Sequence, residues 1–131
     1  MNMEIPRALR ERAIGGGCLY HQGKKQAFRA AARRWLAELV TELGLLPGSY
    51  RLEHDVGARC SSGSVTLSGV DWRIEMRETA YRNGLMLFLW DGSVQLGQFS
   101  VAQLSIPMWL GHFKEMAREL VGSHAAQPLR H

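Results

Sequence analysis

From Val70 to Met76 apolar and polar residues alternate without a break: Val70, Trp72, Ile74 and Met76 on one side, Asp71, Arg73, Glu75 and Arg77 on the other. A period of two is the signature of a strand with one face buried and one face wet. The same alternation runs through Tyr50–Val56 and through Val65 and Leu67. Turn residues punctuate these runs at Ser68-Gly69, Asn83-Gly84 and Asp91-Gly92. Asp-Gly between apolar runs, here Leu85–Trp90 and Val94–Phe99, is a strong signal for a hairpin. The spacing therefore predicts about five mostly antiparallel strands in the middle of the chain.

Helical periodicity brackets this region. Phe28, Ala32, Trp35, Leu36, Leu39, Val40 and Leu43 fall on one face of a helix over residues 24–43, which Gly44 and Pro47-Gly48 terminate. A second amphipathic helix over 107–121 carries Trp109, Phe113, Met116, Ala117 and Leu120, with Gly122 at its C-cap position. The fold class that follows is α+β: a single sheet flanked by an N-terminal and a C-terminal amphipathic helix. Its expected organisation is an arm and Gly-rich hinge over 1–23, one α+β domain over 24–122 and a tail over 123–131. At 131 residues the chain is long enough for one domain with a real core.

Several classes are excluded or disfavoured. The longest apolar run, Leu85–Trp90, is far short of the ~20 residues that span a bilayer, so no membrane partner is expected. The N-terminal residues lack the apolar core and cleavage site of a secretory signal, which points to the cytoplasm. Cys18 and Cys60 are then expected as free thiols.

The stretch GGGCLYHQGKK at Gly15–Lys25 invites a phosphate-loop reading, but Cys18 stands where the first glycine belongs and Lys25 where a hydroxyl belongs. Cys18, His21, His54 and Cys60 together supply a donor set that zinc accepts. The two pairs straddle a long helix, so separate roles are favoured and a zinc-binding module stands as a third reading. No nucleophile elbow or carboxylate pair accompanies the cysteines, so no catalytic residues, enzyme activity or cofactor are expected.

Two surfaces point to partners. Residues 1–37 hold eight Lys or Arg against two acidic side chains, whereas the rest of the chain holds eight against ten. Within that basic third, Lys24, Lys25, Arg29, Arg33 and Arg34 crowd the N-terminal half of the first helix. The macrodipole disfavours cations there, so an anionic partner is the functional reading, and a solvated helix face the bland one. The other surface is the hairpin. A turn centred on Asp91-Gly92 sets Leu85, Leu87 and Leu89 on one face and Met86, Phe88, Trp90 and Phe99 on the other. Both faces are apolar, so a helix, the N-terminal arm, a protein partner or a second copy of the chain must cover the second. Val94–Phe99 also reads as an open edge.

The run WLAELVTELGLLPGSYRLEHDVGARCSSGSVTLSGVDWRIEM over Trp35–Met76 resembles small proteins encoded on plasmids and integrative conjugative elements of proteobacteria. Those pair a helix ending in a Leu-Gly-Leu-Pro-like turn with a Tyr-containing strand and a Ser-Gly-x-Val-x-Leu strand. The resemblance implies a bacterial mobile-element context, in which small proteins often act by binding host proteins, defence complexes or nucleic acid. It carries over no functional residues. The function expected is non-catalytic binding through protein contacts or self-association, with nucleic-acid association through residues 24–34 as the alternative.

Overall fold

The computed structural model describes residues 3–6, 9, 22–55, 63–78 and 85–124. Helix α1 (Gln22–Leu43) leads into five strands, β1 (Arg51–Asp55), β2 (Ser64–Gly69), β3 (Trp72–Glu78), β4 (Leu85–Asp91) and β5 (Val94–Ser100). A 3-10 turn (Gln103–Ser105) and helix α2 (Pro107–Gly122) follow. The strands form one antiparallel meander in the order β1-β2-β3-β4-β5. The α+β architecture, a single sheet with one helix from each end of the chain, is the one the periodicities predict.

α1 ends as its sequence dictates. Gly44 takes a left-handed φ of 68°, its N–H donates to the Thr41 carbonyl and the Leu45 N–H donates to the Val40 carbonyl, both at 3.1 Å. That pair of bonds satisfies the last carbonyls and folds Leu45 back on the core. α2 opens with Pro107 in its first turn, where a missing N–H costs nothing. It runs through Gly122 and is capped at Ser123 in a right-handed conformation, so Gly122 is not the cap residue expected.

One face of the sheet carries the core. Val65 and Leu67 of β2, Trp72, Ile74 and Met76 of β3, and Leu85, Leu87 and Leu89 of β4 pack against Phe28, Trp35, Leu36 and Leu39 of α1 and Phe113, Ala117 and Leu120 of α2. Glu42 clamps the two helices, accepting from Arg118 at 3.1 Å and facing the Lys114 ammonium at 3.4 Å. The core also reaches outside residues 24–122. Met3, Ile5 and Leu9 are buried in it, and the Trp35 indole N–H donates to the Met3 carbonyl at 3.1 Å. A buried indole needs an acceptor, and here the chain's own beginning supplies it.

The β2–β3 turn, Val70-Asp71, lies two residues later than Ser68-Gly69. Gly69 pairs with Trp72, and Asp71 holds a left-handed φ of 60°. Gly69 stays in β2 because the Trp72 ring lies across it: a Cβ there would sit 2.2 Å from the indole nitrogen.

The β4–β5 hairpin also differs from expectation. Asp91 is the last residue of β4, opposite Val94, so Gly92 and Ser93 form the turn. A bulge then shifts the register, pairing Trp90 with Gln95 but Leu89 with Gly97. The combined shift turns Phe99 into the core, edge-to-face on Phe113 at 5.5 Å between ring centres. Phe99 therefore does not share a face with Met86, Phe88 and Trp90.

Candidate functional site

The face of the sheet opposite the helices is built by the residues that alternate with the core. Cross-strand register arranges them in rows. Arg51, Ser68, Arg73, Trp90 and Gln95 form one row; Glu53, Thr66, Glu75, Phe88 and Gln98 the next; Asp55, Ser64, Arg77, Met86 and Ser100 the third. The charged face of β3 and the apolar face of β4 are thus one surface.

Met86 and Phe88 are buried on it, at 8% and 5% exposure, yet they stand outside the core cluster. The Arg77 guanidinium carbon lies 4.3 Å from the centre of the Phe88 ring, and Arg73 lies 4.5 Å from the Trp90 ring. A guanidinium over an aromatic face gains from the ring quadrupole while its alkyl stem covers apolar surface. Arg77 is fixed a second time: its Nε–H donates to Glu75 Oε1 at 3.2 Å. The second apolar face, for which a helix, the N-terminal arm, a partner or a second copy was the expected cover, carries arginines of the neighbouring strand over its rings. The indole N–H of Trp90 is buried with no acceptor among the described residues, a rare and costly state for a polar group.

Beside the lids runs a trough. The short hydroxyl side chains of Ser64, Thr66 and Ser68 lie between the longer chains of β1 and β3, leaving an open hollow of about 630 Å³ bounded by Glu53, Asp55, Arg73 and Glu75. The surface thus offers guanidinium donors and carboxylate acceptors on both sides, with hydroxyls between them. A second hollow of about 320 Å³ lies where both helices end, lined by Leu45, Leu46, Trp72, Arg118 and His124. There the His124 ring nitrogen meets Asp91 Oδ1 at 2.9 Å.

On α1 the predicted basic stripe divides. Arg33 and Arg34 are exposed and have no ion-pair partner among the described residues. Arg29 is half-buried, and its Nη1 is enclosed without a partner among the described residues, at the border of the apolar face beside Phe28 and Ala32. Lys24 and Lys25 lie in the first turn of α1, with side chains outside the described residues. Of the four zinc candidates, Cys18, His21 and Cys60 lie outside the described residues and His54 is exposed on β1. Among the described residues no group of three or more His, Cys, Asp or Glu is placed to hold a metal ion. None of the described helices is long and apolar enough to cross a membrane.

The arginine lids were the part sequence reasoning missed. Arg73 and Arg77 were legible as the wet side of β3, and Phe88 and Trp90 as the second apolar side of β4. Only the β3–β4 register joins them. No protein-family model, curated protein or solved structure matches this chain.

Proposed function

We propose that this protein is a non-catalytic binding module that acts through protein contacts on the open face of its sheet. The observation that carries this reading is the pair of arginines held over the rings of Phe88 and Trp90. A guanidinium held over a ring has lost much of its rotamer freedom before any partner arrives, so less is lost when its remaining N–H groups pair. Glu53, Asp55 and Glu75 interleave with the arginines. That mixture suits the mixed charges of a protein surface and repels a run of phosphates. The mobile-element context implied by the Trp35–Met76 resemblance makes a host protein or defence complex the class of target.

A second reading, nucleic-acid association through α1, rests on the exposed Arg33 and Arg34. The two are separated by site-specific photo-crosslinking in a bacterial host, with the crosslinker at Thr66 on the trough floor or at Arg33 on α1. We expect a discrete protein adduct from position 66, lost when Arg73 and Arg77 are both changed to alanine. Nucleic-acid adducts from position 33 with no adduct from position 66 would overturn the first reading in favour of the second.

A further inference from the structure

The sheet has two edges, and they are guarded differently. β1 carries Arg51, Glu53 and Asp55 along its short length, the usual protection of an edge against pairing. β5, VQLGQFS, has no charged residue, and four of its seven residues are exposed. Val94 and Leu96 are 61% and 45% exposed at its start.

The backbone of β5 also faces outward in part. The Val101 N–H donates inward to the Leu85 carbonyl at 3.0 Å, so the alternate residues Ser100 and Gln98 turn their amides away from β4. The outward N–H of Ser100 is taken by Gln103 Oε1 at 3.1 Å. Gln103 thus closes the Ser100 end of the edge, and the next outward amide along it is that of Gln98.

α2 runs back along this edge. His112 lies against Phe99, with ring centres 5.8 Å apart, and the Met116 sulfur lies at the Gly97 backbone. This direction puts Ile106 and Met108, 48% and 68% exposed, beyond the Ser100 end of β5, opposite the end that carries Val94 and Leu96. An apolar pair at each end of an uncharged strand is self-complementary under a two-fold axis. Rotation about the strand's middle carries Val94 and Leu96 of one copy towards Ile106 and Met108 of the other.

We propose that β5 is a self-pairing edge, and that its occupant is β5 of a second copy, antiparallel across a two-fold axis normal to the sheet. Isologous pairing sets each β5 residue opposite another β5 residue, so no like charges meet. The two sheets become one continuous sheet with all helices on one side and both open faces on the other.

The full-length chain is tested by sedimentation velocity over a concentration series, beside Gln98→Pro and Leu96→Lys. Proline removes an outward N–H that β4 does not use, and lysine adds the missing edge charge. We expect the parent to sediment as a dimer and both variants, with unchanged circular dichroism, as monomers of half the mass. A parent that stays monomeric at every concentration overturns the proposal, as does a dimer that persists in both variants. If either variant unfolds, amide exchange on the parent decides. Protection of the Gln98 amide that rises with concentration supports the pairing, and protection independent of concentration overturns it.

Discussion

Leu87 and Phe88 are neighbours in one strand and both are buried, but by different means. Leu87 is enclosed among apolar side chains from both helices, whereas Phe88 lies on the opposite face under a guanidinium. The first arrangement excludes water with hydrocarbon alone and holds no charge for salt to screen. The second uses a charged group that keeps one edge in solvent, since the Arg77 side chain is 40% exposed. Burial is thus not one condition in this protein: one face of the sheet is sealed, and the other is covered by groups still able to bind.

The largest effect that sharpens the contrast is expected from Leu87→Ala. A fully enclosed leucine with little room for collapse should cost about 2–5 kcal/mol, read as a fall in the denaturant midpoint at unchanged m-value. A double-mutant cycle between Arg77→Ala and Phe88→Leu comes next, with a coupling of about 0.5–1 kcal/mol for a cation over a ring near the surface. A coupling of zero would break the comparison, since Phe88 would then owe its burial to something other than the guanidinium. Smallest is Thr66→Ala on the trough floor. Being half-buried on the face opposite the helices, it should leave stability within about 0.5 kcal/mol of the parent by thermal unfolding. A larger loss would make the trough a structural feature instead of a surface free for partners.

Much of the sealed face was legible in the sequence. The six α1 positions from Phe28 to Val40 picked out by helical spacing are all buried, as are Trp72, Ile74 and Met76 picked out by alternation. Two physical effects hid the rest. The first is register. Asp-Gly announces a hairpin without saying which two residues form the turn. Asp91 stays in β4, where His124, from the far end of α2, meets its carboxylate. The extra residue at Leu96 then shifts β5 again, and a shift in register changes which side chains face the core. The second is contact at a distance. Trp35 is buried on a carbonyl 32 residues earlier, and no local pattern marks Met3 as part of a core. The lids belong to this second kind, because each needs a strand pairing before its arginine has a ring to lie on. The opening GGGCLYHQGKK, read as a hinge, lies outside the described residues except for the helical turn that begins at Gln22.

The strictly sequential order of the strands bears on how the molecule is made. Each strand pairs with the one synthesised just before it, so the sheet can grow as the chain leaves the ribosome, with no strand waiting for a distant neighbour. The core cannot follow at the same pace. Phe113, Ala117 and Leu120 lie in α2, built after the whole sheet, and until they emerge Leu87, Leu89 and Phe99 have no cover on the α2 side. The nascent protein therefore passes through a stage at which its sheet is paired but half naked. During that stage the uncharged β5 is the newest strand on the molecule, and a second nascent chain nearby would meet it first.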